Sequence, residues 1–534
     1  MLSDVSQSEL VDSVPGQRTK TVSRASLFSW IALLALLALG LGLRLYDLTD
    51  QPLDFHPTRQ LRGAIIARGM YYEMLPSADP ETRNLAISFW QSTGQYEPSI
   101  LEKLVAYTYL LLNSEVVWVA RLYNSLFWMI GGIALYALAR RMLAHTPAGA
   151  SAQALLLPAT GAALVALGYY LILPFGVQAS RSFQPDPGMV MWLLLSLYSL
   201  YRWSETRTWK WAILTGLLAG IAVLTKVVAA YIIAGAAVAM VLYVLGFKRL
   251  WRDPQVWSMA ILMVAPMLIY YLGREGRAAQ YFASWTISLS HLLLQPSFYM
   301  RWLSLVQNLM GLTVLLLSLI GMLISPPRNR ALLLGLWAGY AVYGLFLPYQ
   351  MYTHNYYHLQ LIPILALSLA PVVLMVFEPL FQQGKLWQIL FIGVVLMGVV
   401  YPAWLSIYTQ NLENDRNEPA HWQEIASYLP TDGKILALTQ DYGYRLMYYG
   451  WRKVTIWPIV GEQALAELRG NNKDFESIFT RRIEGKDYFL ITAFNQFNNQ
   501  PDLKQTLHEK YPVLAEGSGY LIFDLAHPIN PGSP

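Results

Sequence analysis

Long apolar stretches constrain this chain more than any other feature. A helix that crosses the roughly 30 Å hydrocarbon core of a bilayer needs about 20 apolar residues. Only 13% of the 534 residues are charged, whereas soluble proteins carry about 25%. We therefore predict a mainly α-helical, polytopic membrane bundle. The eleven predicted spans are residues 27–45, 116–139, 152–173, 187–203, 211–225, 227–247, 256–272, 303–324, 331–347, 356–377 and 386–407.

The Lys and Arg residues between the predicted spans indicate the orientation of the chain. With the N-terminus in the cytoplasm, fourteen of them fall in cytoplasmic segments and five in the short outer connections. Cytoplasmic loops carry the excess of Lys and Arg, so we expect this orientation, with an extracytoplasmic C-terminal region after eleven spans. We expect the protein in the plasma or inner membrane. The net charge of +5 then reflects topology, and nucleic acid is not an expected partner.

Three regions follow from this pattern. Residues 1–25 form a cytoplasmic tail, residues 26–408 the transmembrane domain and residues 409–534 an extracytoplasmic domain. Within the transmembrane domain, residues 46–115 form a long first outer loop with amphipathic helices. In residues 409–534, short apolar strands alternate with helices, which predicts a small α/β domain. The expected strands are Ile435–Thr439, Tyr488–Thr492 and Tyr520–Asp524, and the expected helices are Gln463–Arg469 and Pro501–Tyr511.

Asp186 is the most informative carboxylate of the membrane region. It lies at the outer mouth of the fourth predicted span, between Pro185 and Pro187 and five residues after Arg181. An ionisable group at that depth is costly and is a functional candidate by default. Alternatively, Asp186 only caps the helix of the fourth span.

The first outer loop begins with a second candidate, Asp54, which His56 and Arg59 follow. Amphipathic patterns after Pro57 and after Pro98 predict two helices. Such helices can lie in the membrane interface, where they would hold Asp54 within reach of a lipid head group. Alternatively, Asp54 caps the first of these helices.

Two polar groups belong to the same outer surface. Lys226 interrupts an apolar run between the fifth and sixth predicted spans, and a Tyr/His/Asn cluster at 349–358, with His354 and Tyr357, precedes the tenth. Aromatic faces, amides and imidazoles suit sugar hydroxyls. Alternatively, the tyrosines form an interfacial aromatic belt.

Several function classes lack their motifs. The chain has no Cys, so it has no disulfide framework, thiolate metal site or Cys nucleophile. It has no P-loop, no H-E-x-x-H motif and no G-x-G-x-x-G turn.

The order of these residues resembles membrane glycosyltransferases of the GT-C fold. The resemblance covers about residues 26–375, and it is strongest to glycosyltransferase family 39, which includes the protein O-mannosyltransferases and the aminoarabinose transferase of lipid A. The motifs that carry it are Asp54, Ala67-Arg68, Val119-Ala-Arg121-Leu-Tyr-Asn-Ser125, Ala137-Leu-Ala-Arg140-Arg141, Arg181…Pro185-Asp186, Gly216…Lys226 and His354-Asn-Tyr356-Tyr357…Pro363.

The resemblance implies an enzyme that moves a sugar from a polyprenyl-phosphate carrier to a glycan, lipid or protein acceptor on the outer face, usually with inversion. It implies that Asp54 acts as the base or orients the acceptor. The sequence departs from the family at two places, because Phe55 follows Asp54 where Glu is common and Glu97-Pro98-Ser99 stands where Lys-Pro-Pro is common.

On this hypothesis the remaining candidates bind substrate. A sugar phosphate already has a good leaving group, so the protein needs mainly a base and cations for the departing phosphate. Asp186 and His354 would orient the substrate or share a divalent Mg or Mn ion with Asp54, although no cofactor follows from the sequence with certainty. The other proposed substrate-binding residues are Lys226, Arg274, Arg277, Arg181, Tyr357, His56 and Arg59.

A polytopic lipid or sugar transporter or flippase is the rival interpretation. It explains the spans, but it does not explain the 70-residue first outer loop, and the internal repeats typical of transporters are absent from the sequence. The C-terminal domain is expected to pack at the outer mouth and to help admit the acceptor. Its candidate contact residues, some of which would instead pack in its own core, are Trp422, Tyr442, Tyr444 and Trp451.

Overall fold

The computed structural model describes residues 24–94, 97–144, 152–272, 283–380, 383–470 and 474–529. A helical bundle is followed by a small α/β domain, as predicted. The helices of the bundle and its outer loops are α1 (Arg24–Leu45), α2 (Pro57–Glu73), α3 (Pro80–Ser92), α4 (Ile100–Leu112), α5 (Trp118–Ala144), α6 (Ala152–Ile172), α7 (Pro174–Arg181), α8 (Asp186–Thr206), α9 (Trp209–Thr225), α10 (Ala229–Leu250), α11 (Pro254–Leu272), α12 (Pro296–Met310), α13 (Leu312–Ile324), α14 (Pro327–Phe346), α15 (Pro348–Thr353), α16 (Leu361–Leu380) and α17 (Lys385–Leu412).

The apolar stretches all lie in helices. Within the described ranges, six helices are long and apolar enough to cross a membrane by themselves, and two bent pairs of helices could each form one further span. The membrane character of the bundle is therefore confirmed, whereas the number of eleven crossings and the orientation of the termini stay predictions. Helix α17 leaves most of its apolar side chains exposed on the protein surface, as expected for a helix that faces lipid.

The predicted span at 303–324 is wrong as a single helix. Gly311 separates α12 from α13, and the two helices meet at 96°. Gly311 has a φ of +85°, a left-handed conformation that a residue with a Cβ adopts only with strain. The glycine therefore permits a sharp turn that hydropathy alone does not reveal.

A second bend precedes Arg181. Helices α6 and α7 meet at 59°, and Leu173 and Pro174 stand at the break. The ring of Pro174 fits the first turn of a helix, where its missing N–H costs nothing. The chain then leaves α7 at Arg181 and enters α8 at Asp186, so the segment 182–185 lies between two candidate site residues.

The C-terminal domain contains a mixed five-stranded sheet with flanking helices. Its elements are α18 (Glu418–Ser427), β1 (Ile435–Leu438), α19 (Tyr444–Tyr449), β2 (Val454–Ile456), α20 (Val460–Leu468), α21 (Phe475–Ile483), β3 (Tyr488–Ile491), α22 (Phe494–Asn498), α23 (Pro501–Lys510), β4 (Val513–Gly517) and β5 (Tyr520–Asp524). The strands lie in the order β2-β1-β3-β5-β4. Strand β1 pairs in parallel with β2 and β3, and β5 pairs antiparallel with β3 and β4. The predicted strands β1, β3 and β5 are confirmed, as are the helices α20 and α23.

The first outer loop folds into three helices, of which α2 is enclosed by protein. Ten of its 17 residues are buried, including Arg68. Protein therefore covers most of this helix, while Arg59 and Arg62 stay half-buried, and the place of α2 in the membrane interface stays a prediction. Helix α4 differs, since Ile100, Leu104 and Leu111 are exposed on its surface.

The C-terminal domain and the first outer loop share one hydrophobic core. Buried side chains of α2 and α4 pack together with those of α18 and α19. Arg68 of α2 ties the two parts, because it donates to the carboxylate of Glu115 at 2.7 Å and to the carbonyl of Tyr448 at 2.6 Å. Its guanidinium also lies over the rings of Tyr448 and Trp451. The domain is thus fixed to the loop that carries Asp54.

Replacing Arg68 with Met should loosen this attachment. The change removes two charge-assisted hydrogen bonds and leaves the half-buried carboxylate of Glu115 without its cation, and we expect a loss of about 2–3 kcal/mol in the free energy of unfolding. Thermal unfolding and limited proteolysis after residue 410 measure it. Lys103→Met, on the exposed side of α4, is the matched control. Equal stability of the two variants would contradict the prediction.

Candidate active site

Asp54 is held by an arginine from the first long helix after the outer loop. Arg121 Nη2 donates to Asp54 Oδ1 at 2.9 Å. The same guanidinium donates to the backbone carbonyls of Asp50 and Gln51, both at 2.8 Å. Because the Arg121 side chain is only 1% exposed and its planar group has several fixed donors, it sets both the fold of this segment and the direction of the carboxylate.

Two further residues complete the surroundings of Asp54. Gln60 Nε2 donates to Oδ1 at 2.9 Å, and Arg181 Nε lies 3.6 Å from Oδ2. Arg181 also donates to the carbonyls of Tyr46 and Asp47. Oδ1 of Asp54 thus accepts two hydrogen bonds. Oδ2 forms only the longer ion pair with Arg181, so it is the oxygen better placed to accept a further hydrogen bond.

These contacts keep Asp54 ionised. Burial alone would raise the pKa of the Asp54 carboxyl, but the charges of Arg121 and Arg181 and the hydrogen bond from Gln60 outweigh it and lower the pKa below its ordinary value. The side chain keeps 11% exposure and borders a small cavity with a volume of about 10 Å³, enough for about one water molecule. The residues that line this cavity are Asp47, Asp50, Asp54, Arg121, Arg181, Gln410 and Glu413.

Glu413 brings the start of the C-terminal region to this cavity. Burial raises the pKa of Glu413 to about 7, and the charges of Asp54 and Asp415 add to the rise. A carboxyl with this pKa exchanges protons near neutral pH. The cavity therefore combines an ionised carboxylate with one that titrates.

Asp186 and Lys226 form a buried ion pair. Lys226 Nζ donates to Asp186 Oδ1 at 2.7 Å, and the two side chains are 5% and 2% exposed. Asp186 starts α8, while Lys226 stands in the break between α9 and α10. Asp186 Oδ2 is buried without a hydrogen-bond partner, so this oxygen can still accept a hydrogen bond from a ligand.

Aromatic rings surround the cationic side of this pair. Lys226 Nζ lies 5.0 Å from the ring centre of Tyr356 and 5.1 Å from that of Tyr357. The Arg59 guanidinium lies 4.2 Å from the ring centre of Tyr356, and the His56 ring packs edge-on against the same ring at 4.7 Å. His354 contacts both tyrosine rings. Six of the predicted residues, His56, Arg59, Asp186, Lys226, His354 and Tyr357, therefore form one cluster.

The two histidines of this cluster are neutral near pH 7. Burial lowers the pKa of His354 to about 4, and the nearby charges of Arg59 and Lys226 act in the same direction. Burial also lowers the pKa of His56, although its contact with Asn355 Oδ1 at 2.5 Å opposes the change. Neutral imidazoles can accept or donate hydrogen bonds to a sugar without adding charge.

The residues do not fit the hypothesised metal site of Asp54, Asp186 and His354. Arg121 pairs with Oδ1 of Asp54 and Lys226 with Oδ1 of Asp186, so each carboxylate is already neutralised by a cationic side chain that would repel a metal ion. In the described part of the chain, no three His, Asp or Glu side chains are arranged to hold a metal ion. Arg274 and Arg277, which were expected to bind phosphate, lie outside the described residues.

Sequence reasoning did not assign a role to Arg121 or Gln60. Arg121 belongs to the Ala-Arg-Leu motif of the resemblance, but the motif does not predict which residue its side chain contacts. Gln60 gave no signal, because a neutral amide in an amphipathic helix is ordinary. Arg181 was expected to contact substrate, and the structure places it against Asp54.

Glu102, a buried carboxyl in the first turn of α4, gives a pH-dependent prediction. Burial raises the pKa of Glu102 from its ordinary value of 4.5 to about 7, so the folded protein holds this proton more tightly than the unfolded chain. The free energy of unfolding then falls as pH rises from about 4.5 to about 7.

Replacing Glu102 with Gln should therefore stabilise the protein at pH 8 by about 2–3 kcal/mol and have little effect at pH 4.5. Melting temperatures of both proteins across this pH range measure the difference. Glu73→Gln, at an exposed position of α2, is the control. A stabilisation that is the same at both pH values would contradict the prediction.

The fold is that of a known group of membrane proteins. The structure aligns over 93% of its length with 98% of the crystal structure of ArnT from Cupriavidus metallidurans bound to undecaprenyl phosphate, with a TM-score of 0.56 and 16% sequence identity. The apo structure of the same protein aligns over 94% of this chain and 98% of ArnT, with a TM-score of 0.57 and 14% identity. The chain has the GT-C fold.

Sequence comparison adds a family match inside this fold. Residues 99–271 match the model of the dolichyl-phosphate-mannose-protein mannosyltransferase family. This range includes Arg121, Arg181, Asp186 and Lys226. No curated protein sequence matches the chain significantly. The GT-C protein described here thus resembles membrane glycosyltransferases, as the sequence motifs predict.

Proposed function

We propose that the protein is a membrane glycosyltransferase that moves a sugar from a polyprenyl-phosphate carrier to an acceptor on the outer face of the membrane. The observation that carries this proposal is the pairing of two sites along one short segment. Asp54, an ionised carboxylate, lies two residues before His56 and five before Arg59, which join the cationic and aromatic cluster around Lys226. A base and a phosphate site are thus presented side by side.

Lys226 and Arg59 are the proposed phosphate ligands. Both cations lie close to the ring of Tyr356. Arg59 Nη1 is 3.9 Å from Glu97 Oε1, so this ion pair is loose. Lys226 has three donor hydrogens, of which its bond to Asp186 uses one. Cations placed where negative charge develops stabilise the transition state. Arg274 and Arg277 stay candidates for the same role.

The aromatic rings and histidines suit the sugar. Tyr356 and Tyr357 provide an aromatic wall beside the two cations, and His56 and His354 are neutral groups that can form hydrogen bonds. Asp186 Oδ2, which has no partner, can accept a hydroxyl or amino hydrogen of the sugar. The transferred group is therefore proposed to sit between Asp186 and the ring cluster.

The proposed reaction is a single displacement. The acceptor hydroxyl oxygen attacks the anomeric carbon opposite the phosphate, the bond between this carbon and the phosphate oxygen breaks, and its electron pair leaves with the polyprenyl phosphate. The hydroxyl proton passes to Asp54 Oδ2, the oxygen without a short hydrogen bond. One displacement inverts the anomeric configuration. Asp54 serves as base or, if the proton leaves late, as the group that orients the hydroxyl.

The comparison proteins support the donor class. The ArnT crystal structure contains undecaprenyl phosphate, and the matched family model is described by a dolichyl-phosphate sugar, so both point to a polyprenyl-phosphate donor. The acceptor may be tested among three classes, namely glycans, lipids and proteins.

Purified protein incubated with a panel of radiolabelled polyprenyl-phosphate sugars tests the proposal. We expect release of polyprenyl phosphate together with labelled product when extracted lipids, glycans or proteins are added. The anomeric configuration of the product, measured by NMR, tests inversion. Movement of intact donor across a vesicle bilayer without cleavage would instead identify a flippase and overturn the proposal.

A further inference from the structure

Gln60 connects the segment that carries Asp54 with the segment that leads to Asp186. It lies in the first turns of α2, and its side chain is fully buried. Its amide nitrogen donates to Asp54 Oδ1 and to the carbonyl of Phe55, both at 2.9 Å. Its amide oxygen accepts from the backbone N–H of Phe183 at 3.0 Å. All three of these partners belong to segments that hold site residues.

The segment with Phe183 leads directly to Asp186. Asn124 holds the same segment from the other side, because its Nδ2 donates to the carbonyls of Ser182 at 2.5 Å and Gln184 at 3.0 Å. Asn124 follows Arg121 by about one turn of α5. Thus α5 contacts the Asp54 loop and the Asp186 segment separately, while Gln60 bonds to both with one amide.

Only glutamine supplies this combination of groups. The amide has two donor hydrogens and one acceptor oxygen in one plane, and all three bonds are used here. Glu at this position would keep the acceptor but lose both donors and place a second negative charge beside Asp54. Leu would match the size and lose every bond.

We propose that Gln60 is a positioning residue, which fixes the direction of the Asp54 carboxylate and ties it to the segment that carries Asp186. The inference rests on the proposed function, since it concerns the reaction of that site. Gln60 bonds to Oδ1 of Asp54 and leaves Oδ2 without a short hydrogen bond. It adds a direct link between the two segments, beside the contacts that Arg121 and Asn124 of α5 make with each of them.

The alternative is that Gln60 only satisfies buried backbone groups. That role would cost stability on substitution but would leave the protonation of Asp54 unchanged. The chain offers a matched control, Gln500, a buried glutamine of the C-terminal domain. Its oxygen accepts from Trp457 and Gln463, and its nitrogen donates to the carbonyl of Pro458.

The first arm of the test measures turnover. We expect Gln60→Leu and Gln60→Glu to lower kcat by about 10- to 100-fold, as the loss of a hydrogen bond to a charged group predicts, while Gln500→Leu leaves kcat within about twofold. The acidic limb of the kcat profile should move to higher pH in both Gln60 variants, because the ionised form of Asp54 loses a donor. A uniform loss at every pH would overturn the inference.

The second arm does not need turnover. Infrared difference spectra between the protein and its Asp54→Asn variant isolate the carboxyl band of Asp54, and titration of this band gives its protonation directly. We expect the band to titrate at higher pH in Gln60→Leu, at higher pH still in Gln60→Glu, and without change in Gln500→Leu. An unchanged titration in both Gln60 variants would overturn the inference.

The two arms separate this inference from the proposed function. If the unaltered protein cleaves no polyprenyl-phosphate sugar, the proposed function fails, and the infrared titration still decides whether Gln60 controls Asp54. If Gln60→Leu does not fold, Gln60→Glu, which keeps the acceptor for Phe183, carries both measurements. If the unaltered protein turns over and neither Gln60 variant shifts the acidic limb, the inference fails while the function stands.

Discussion

Replacing Asp54 with Asn is expected to lower kcat for sugar transfer by about 10²- to 10⁴-fold, the range that removal of a general base costs. Asn keeps the size and one oxygen for Arg121, but it cannot accept the acceptor proton or carry the negative charge. Because KM depends mainly on groups that bind the carrier, it should change much less than kcat. Initial rates over a range of donor concentrations measure both.

Folding has to be checked in the same variant, since Asn leaves Arg121 and Arg181 buried beside a neutral amide. Melting temperature and elution volume on size exclusion provide this check. Asp79→Asn, which alters the exposed N-cap of α3, is the control and should keep its turnover. A folded Asp54→Asn protein with half of the original kcat would eliminate Asp54 as base.

The positions of the charged candidates could be predicted from the sequence because charge is costly in a membrane. Asp186 and Lys226 interrupt apolar runs, so each was identified alone. Their pairing could not be predicted, since 40 residues and two helices separate them. The pair forms only because the α9–α10 break and the start of α8 meet at the same mouth.

The residues that hold Asp54, Arg121 and Gln60, could not be predicted for a related reason. Arg121 lies 67 residues from Asp54, and no spacing rule connects a loop residue with a helix that follows three other helices. The same limit applies to the C-terminal domain, where the missed strands β2 and β4 are the two edges of the sheet. Edge strands are short and half-exposed, so their apolar pattern is weak.

The bend at Gly311 and the covering of α2 are two features that hydropathy does not reveal. Both segments have the composition of the predicted element, and their final form depends on neighbours. Helix α2 has an amphipathic pattern, and Tyr448 and Trp451 of the C-terminal domain cover its Arg68. Tertiary contacts between distant parts therefore decide the burial of a basic amphipathic helix.

Replacing Lys226 with Met is expected to destabilise the folded protein by about 3–5 kcal/mol, the cost of leaving one member of a buried ion pair alone. Asp186 would keep its charge with neither oxygen bonded, because Oδ2 already has no partner. Chemical unfolding in detergent, followed by Trp fluorescence, measures the loss. Lys210→Met, at an exposed position of α9, is the control and should remain within about 0.5 kcal/mol of the original.

The double variant Lys226→Met with Asp186→Leu separates stability from chemistry. Apolar residues of similar size often replace a buried ion pair without a loss of stability, so the double variant should unfold close to the original protein. Its transfer rate should nevertheless stay at least about 100-fold low, since removal of one preorganised group that stabilises transition-state charge costs this much. A double variant that regains both stability and transfer would mean that the pair is structural and that the phosphate binds elsewhere. Recovery of stability without transfer would assign the charges of Asp186 and Lys226 to the reaction.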